Sequence, residues 1–420
     1  MRSLISSADG AGPPGRVPHR FLRHRRTWGA LTVAVLGIGL LTPGTSFASS
    51  TPPSATARGP AVISGWNEIA VTTLAGDMTT QPVEDILYMA FVQAAAVAAA
   101  HKVLVTYVPS AQADLDAHYA ESLAQIPDGT AKTRGIAFGT GAADSLIRLR
   151  AHDGRNAPIV FAQPPAPGVW RPTPPGSPMS APWLGFVAPL LVRSATQFAP
   201  PPPPALTSAR YARDFAEVKA LGSVNSTERT ADQTATALFF SGNPLVQYNT
   251  ALRDQVSVRH LDIVDAARMF AAIDMSVADA LITVWHAKYA YSLWRPITAI
   301  NLADTDGNPD TVADPNWVPL RPTPNYPEYP SGYNAFNSTV SHGLENLFQT
   351  RHLQLTLTSA AAPGVQRYYD RGNALVQDVV DARVWLGIHF RTADTAAKEI
   401  GRQLTAWTLD RYFQPVHENR

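Results

Sequence analysis

Apolar positions recur at helical spacing along most of the chain. Over 83–102 the sequence reads VEDILYMAFVQAAAVAAAHK. Pro82 precedes this run, Glu84 and Asp85 occupy its first turn, and His101 and Lys102 close it. Such start and stop signals complement a helix dipole and predict one helix over 83–102. Similar periodicity predicts helices over 111–125, 131–151, 208–221, 226–240, 244–256, 261–274, 276–300, 331–348, 365–385 and 392–412. No convincing run of alternating strands and no internal repeat stands out, so the pattern predicts an all-α protein built of packed bundles. A Pro-rich passage over 164–204, with five consecutive prolines at Pro200 to Pro204, reads as an ordered surface crossover between helices.

The first residues read differently. A basic stretch from Arg16 to Arg26 precedes an uncharged apolar run, Thr27 to Leu41, and then the small-residue site Ser46-Phe47-Ala48. That order predicts a signal peptide over 1–48 and a secreted protein. The apolar run is shorter than the roughly 20 residues that span a bilayer, so no stable membrane span is expected in the mature chain. Arg25-Arg26 hints at the twin-arginine route. Residues 49–60, rich in Ser, Thr, Pro and Ala, read as a disordered linker. The expected division is then an N-terminal helical region over 61–260 and a C-terminal one over 261–420.

Composition narrows the chemistry. The chain has no cysteine, which excludes disulfides, zinc–thiolate sites, iron–sulfur clusters and thiol nucleophiles. Its formal net charge is +1, so no global field calls for nucleic acid. Gly139-Thr140-Gly141 has no strand before it and no third glycine after it, unlike a dinucleotide loop. The acidic run from Asp304 to Asp310 lacks the glycine and the closing glutamate of a calcium loop and reads as a solvated turn.

Three segments carry the candidate chemistry. Lys288 and Arg295 stand seven apart; on one continuous helix they would share a face beside Trp285 and Tyr289. Pro-rich chain stops at Ser331-Gly332, where Ser331 can cap a helix and Gly332 lets a ligand approach exposed N–H groups. Arg383 and His389 stand six apart and converge only if the helix ends near Gly387 and the chain turns.

Together, Lys288, Arg295, Ser331, Gly332, Arg383 and His389 resemble the signature of the vanadium-dependent haloperoxidase and type 2 phosphatidic acid phosphatase (PAP2) superfamily, in particular its bacterial secreted haloperoxidase-like branch. The resemblance extends over about residues 60–415. It implies a pair of helical bundles and a cage for vanadate or phosphate, two tetrahedral oxyanions of similar size. Lys288, Arg295 and Arg383 would neutralise the oxygens, Ser331 Oγ and the Gly332 N–H would add hydrogen bonds, and His389 Nε2 would bond the metal. Hydrogen peroxide and halide would be the reactants of a peroxidase; a phosphate ester would be the substrate of an acid phosphatase, with His389 as nucleophile. The organic substrate is not readable. Asp394 is the nearest acidic candidate to hold the other nitrogen of His389, five residues on. The family's usual residue after Ser-Gly is a histidine that acts as acid and base, and here it is Tyr333. Tyrosine titrates near 10 and is a poor base at neutral pH, though it can donate a hydrogen bond. His342 and His286 are possible substitutes, neither on the right helical face. A third reading is therefore a catalytically weakened oxyanion-binding protein.

Overall fold

The computed structural model describes residues 59–77, 81–93, 97–173 and 176–414. The expected signal peptide and most of the expected linker lie outside these residues. The helices are α1 (Gly59–Gly76), α2 (Pro82–Gln93), α3 (Val97–Tyr107), α4 (Gln112–Ala124), α5 (Thr130–Leu149), α6 (Ala209–Leu221), α7 (Ala231–Phe239), α8 (Pro244–Val258), α9 (Ile263–Tyr291), α10 (Pro296–Asn301), α11 (Gly332–Leu347), α12 (Gly372–Trp385) and α13 (Arg391–Arg411). One short antiparallel hairpin, β1 (Leu355–Thr358) and β2 (Gln366–Tyr369), interrupts the helices. The protein is thus predominantly helical, as the periodicity predicts.

The centre of the fold is α9. Its residues from Ala272 to Trp285 are buried almost without a break, so this helix is wrapped on all sides rather than exposed along one stripe. Asp262 starts it, accepting from the amides of Val264 and Asp265 at 2.9 and 2.8 Å. Helices α11 and α13 pack together and against α9, while α1 and α2 cover it from the N-terminal side.

Four local expectations are corrected. The helices expected over 261–274 and 276–300 are one helix to Tyr291, a break, and the short α10. The helix expected over 83–102 is described over Pro82–Gln93 and Val97–Tyr107, and so reaches five residues further than expected. Residues 366–369 are strand, so α12 starts at Gly372; the alternating Leu-Thr-Leu-Thr of β1 buries Leu355 and Leu357 against the core. Helix α1 was not expected at all; Trp66, Ala70 and Leu74 give it its buried face.

The acidic turn at 304–310 is also less solvated than expected. Asp306 is buried and accepts from the Asn308 amide at 2.7 Å and the Thr311 hydroxyl at 2.8 Å. Asn308 in turn donates to Leu206 O at 2.6 Å, which fastens this loop to the crossover.

The Pro-rich crossover is irregular but firmly tied. Buried Asp279 of α9 accepts the backbone N–H groups of Leu190, Leu191 and Val192 at 2.6, 2.7 and 2.8 Å. Burial pushes its carboxyl up to about 6, while these three amides pull the other way. A chain with so many prolines cannot satisfy itself by repeating backbone bonds, so a side chain supplies the acceptors. Replacing Asp279 by Ala leaves three buried donors without partners, each costing about 1–3 kcal/mol. The expected outcome is a loss of at least about 3 kcal/mol in urea unfolding, with no loss of helix content in native buffer. A cost near zero would show that the crossover is held by other contacts.

Candidate active site

The break after α9 shapes the site. Ser292 takes a left-handed conformation, φ 52°, and its amide closes the helix on Lys288 O at 2.9 Å. The next residues pair with the crossover: Trp170 N donates to Ser292 O at 2.7 Å and Trp294 N to Gly168 O at 2.9 Å. Arg295 follows in extended conformation, as the residue before Pro296 is obliged to be, and it starts α10. Lys288 and Arg295 therefore do not share one helical face. They meet because the chain turns between them. The Tyr326 ring collects both: Lys288 Nζ lies 4.9 Å and the Arg295 guanidinium carbon 4.7 Å from its centre.

Lys288 and Arg295 are fully buried. Lys288 Nζ donates to the carbonyls of Pro327 and Glu328 at 2.7 and 2.9 Å. Arg295 donates through Nε to Tyr326 O and through Nη1 to Ile388 O, both at 2.8 Å. Burial, then the neighbouring Arg295, hold the Lys288 ammonium well below its usual pKa, against the pull of Glu328.

Ser331 stands at the start of α11, but its hydroxyl does not cap that helix. Its amide donates to Ala393 O at 3.1 Å, tying the α11 start to α13. Gly332 then brings the helix N-terminus against Trp285; a Cβ there would sit 3.2 Å from the Trp285 ring.

The third segment turns as its spacing predicts. Helix α12 ends at Trp385 and Gly387 has φ +77°. A side chain at Gly387 would run into the backbone of Gly222 and into Pro319. Arg383 donates through Nη1 to Phe240 O at 2.9 Å, and its guanidinium carbon lies 4.6 Å from the centre of the Tyr333 ring. The turn delivers His389 to Arg295, whose Nη1 lies 3.3 Å from Nε2. Lys288, Arg295 and His389 are thus brought together, and Arg383 is close enough to help lower the pKa of both Lys288 and His389.

Two carboxylates complete it. Asp394 is not the partner of His389. It accepts from Asn334 Nδ2 at 2.8 Å and lies beside Ser331. The start of α13 carries it there, because Arg391 opens a new helix and the side chain five residues after His389 turns toward α11 instead. The partner is Glu328, whose Oε1 accepts from His389 Nδ1 and from the Phe390 amide, both at 2.9 Å. With that acceptor the imidazole proton sits on Nδ1, and the Nε2 lone pair faces Arg295 Nη1 at 3.3 Å. Glu328 was not foreseen: it lies 61 residues before His389 in the chain. Its neighbours in the Pro-rich run carry no signal that marks it. Burial pushes Glu328 up to about 8 and Asp394 up to about 7. Burial, then Arg295, Lys288 and Arg383, push His389 well below its usual value. Lys288, Arg295 and Arg383 thus face the carboxyls of Glu328 and Asp394 in one buried cluster.

Tyr333 does not face this space as a free acid. Its hydroxyl donates to Gln247 Oε1 at 2.6 Å, and burial raises its pKa above the usual tyrosine range. Its ring serves as the shelf under Arg383. His286 sits against Gly185 O at 3.1 Å, and His342 pairs with Glu345 at 3.1 Å; neither replaces the missing histidine.

Several polar atoms here are buried without a hydrogen-bond partner among the described residues: Arg295 Nη2, Arg383 Nε and Ser331 Oγ. Arg295 Nη2 and Arg383 Nε are buried guanidinium donors, which are normally satisfied, while Ser331 Oγ lies against the Asp394 carboxyl. The donor set therefore fits a tetrahedral oxyanion such as vanadate or phosphate. Beside it lies a cavity of about 450 Å³ that Arg383, Gly332, Tyr333, Trp285 and Tyr326 help to line.

Comparisons with known proteins agree with this fold. Residues 268–418 match the family model of the VCPO second helical-bundle domain. The vanadium chloroperoxidase of Curvularia inaequalis is 25% identical over 241 residues, 42% of this chain. The match spans only 39% of that relative's length. Among solved structures, that of the first bacterial vanadium-dependent iodoperoxidase superposes with a TM-score of 0.74 at 18% identity, over 89% of this chain and 100% of the other. A holo-type bacterial vanadium-dependent chloroperoxidase superposes with a TM-score of 0.60 at 18% identity, over 87% and 95% of the two chains. At such identities the structural likeness speaks for the fold.

Partners that orient a metal-ligating histidine typically govern affinity by about 10–100-fold. Glu328→Ala is expected to weaken vanadate binding by that factor in isothermal titration, with the far-ultraviolet spectrum unchanged. Unaltered affinity would show that His389 is held without Glu328.

Proposed function

We propose that this chain, a member of the vanadium haloperoxidase superfamily through residues 268–418, is an exported vanadate-dependent peroxidase that oxidises halide with hydrogen peroxide. The observation that carries this reading is the pair of buried guanidinium donors, Arg295 Nη2 and Arg383 Nε, left without a partner in the cluster that also holds Lys288 and His389. Export rests on the order of basic, apolar and small residues in 1–48.

The chemistry a bound vanadate supplies is Lewis-acid activation of hydrogen peroxide toward halide, with no redox change at the metal. The residues do the rest. Arg295 and Arg383 hold negative oxygens with rigid guanidinium planes, whose other nitrogens are anchored to Tyr326 O, Ile388 O and Phe240 O. Lys288 adds a compact positive charge from beneath the 327–328 carbonyls. Ser331 Oγ and the first amides of α11 donate further hydrogen bonds. Glu328 keeps the His389 proton on Nδ1, so Nε2 stays a ligand rather than a cation. The backbone carbonyls that anchor Lys288, Arg295 and Arg383 hold these donors in place, which spares the reaction the cost of organising them.

Tyr333 contributes as a support. Its hydroxyl is engaged with Gln247, and its raised pKa keeps it neutral throughout the physiological range. A histidine at 333 would place a group that titrates near neutrality beneath Arg383.

An acid phosphatase using the same His389 lone pair as nucleophile is the second reading, favoured by Glu328 holding the imidazole proton on Nδ1. One experiment separates the readings. The protein is loaded with vanadate and assayed for iodide and bromide oxidation, and in parallel, without vanadate, for p-nitrophenyl phosphate hydrolysis. Halide oxidation that needs vanadate is the expected outcome. Vanadate-inhibited phosphatase activity alone would favour the second reading, and inactivity in both assays a binding protein. Removing one preorganised donor typically costs about 10²–10³ in turnover, so Arg383→Ala is expected to lose about a hundredfold or more in halide oxidation. Tyr333→Phe is expected to change that rate little and Tyr333→His to raise it in a monochlorodimedone assay. A large loss in Tyr333→Phe would assign the hydroxyl a direct part in turnover.

A further inference from the structure

Arg383 and His389 reach the cage from one loop, and an ion-pair clamp closes that loop at its mouth. Arg391, two residues past His389, spreads its guanidinium across two carboxylates. Its Nε and Nη2 donate to Glu217 of α6 at 2.8 and 2.6 Å, and its Nη1 donates to Asp381 of α12 at 2.7 Å. The Asp381 pair closes a span of ten residues that contains both Arg383 and His389. A planar fork that engages acceptors in two directions fixes geometry as well as charge, and a lysine cannot reproduce it.

The tip of the loop is held from the same side. A Cβ at Gly222, just past α6, would stand 2.5 Å from the Gly387 Cα. Arg229 donates through Nη1 to Ser223 O at 2.8 Å and to Trp385 O at 3.3 Å, which joins the chain after α6 to the end of α12. Along α6, Arg210, Asp214 and Glu217 share one face, and all three engage the start of α13. Asp214 accepts from the Thr392 amide at 3.1 Å and from the Thr392 hydroxyl, to which Arg210 Nε donates at 3.1 Å. On the apolar side of α6, the Tyr211 ring lies 5.5 Å from that of Phe390, and its hydroxyl accepts from Trp294 Nε1 at 3.1 Å. Helix α6 therefore touches the residue after His389 and the residue before Arg295.

The clamp groups are half-buried, and none of them lines the cavity beside the cage. Such pairs contribute little to stability by themselves. Their consequence is geometric, because His389 sits in a turn outside any helix and its ring meets Glu328 and Arg295 only where that turn presents it. We propose that Arg391 is a positioning residue: gripped by Glu217 and Asp381, it fixes the loop so that Arg383 and His389 Nε2 address the same bound oxyanion. This rests on the vanadate reading above. The nitrogens of Arg391 are taken by the two carboxylates, so it acts through His389 and not on the anion.

The test uses the whole chain with isotope-labelled histidine. The His389 Nδ1–H, held by buried Glu328, is assigned by the resonance that disappears in His389→Ala. Arg391→Ala, Arg391→Lys and Glu217→Gln are compared with the wild type and with Arg402→Ala, which breaks an exposed pair with Glu399 on the same helix. The resonance is expected to shift or broaden in the three clamp variants and to stay in place in Arg402→Ala, while the urea midpoint moves little in all four. In isothermal titration, vanadate affinity is expected to fall about tenfold in Arg391→Ala, the lower end of the range for groups that orient a metal-ligating histidine. Arg391→Lys, which keeps the charge but not the fork, is expected to recover only part of that loss. Glu217→Gln keeps the shape of the clamp and carries the test should Arg391→Ala fail to fold. Equal vanadate affinity in all variants, or a resonance that moves as much in Arg402→Ala, would overturn the positioning role. A wild type that takes up no vanadate would overturn the vanadate reading instead, and the His389 resonance alone would then decide whether the clamp holds the imidazole.

Discussion

The fold depends on keeping three cations and an imidazole in one buried space without an ion partner for each. Taking an ammonium or guanidinium out of water costs several kcal/mol even after relaxation. Glu328 is where that cost is met. Its carbonyl accepts from Lys288, its carboxylate from His389 and Phe390, and its amide donates to Leu293 O. One residue thus fastens the end of α9, the break before α10 and the turn before α13. It does so from a Pro-rich strand that cannot form a helix of its own. The strand's free carbonyls, at Tyr326, Pro327 and Glu328, are what the cations need as acceptors.

The sequence announces what is local and conceals what arises from long-range packing. Helix ends with caps, a serine before glycine after a Pro-rich stretch, and a glycine that must turn a chain are all local rules, and Ser331, Gly332 and Gly387 obey them. The break between Lys288 and Arg295 was locally legible too, because Pro296 forbids a helical Arg295; periodicity alone carried the predicted helix across it. The strand β1 was hidden the same way: four alternating residues are too few to outweigh the helical periodicity on either side. Glu328 was not legible. Its role depends on two stretches 61 residues apart meeting in space, and nothing in its immediate neighbours marks it. The same is true of Gln247, which holds Tyr333 from a helix far earlier in the chain.

The N-terminal half shapes the site from a distance. The crossover after Gly168 pins the α9 break, and Asp279 pins the crossover, so the position of Arg295 depends on residues more than a hundred places before it. Helix α2 adds Val83 and Ile86 to the cavity wall. Lys288, Arg295, Ser331, Arg383 and His389 all come from the C-terminal region, but the cavity beside them is built by both. A fragment confined to the C-terminal region would lose one wall of the cavity and the clamp on the α9 break together.

The exchange of histidine for tyrosine after Ser-Gly can be understood on the same terms. A buried hydroxyl needs a partner, and Gln247 supplies one while its own amide donates to Thr358 O at 3.0 Å in the hairpin. The ring then lies flat enough beneath Arg383 to hold a guanidinium by cation–π attraction. A histidine at this position could act as acid or base, but protonated it would place a fourth positive charge beside three others. Tyrosine keeps the arginine in position without adding charge, at any pH where the protein is folded. The substitution therefore trades proton handling for a fixed cation, and fixed cations are what anion binding requires.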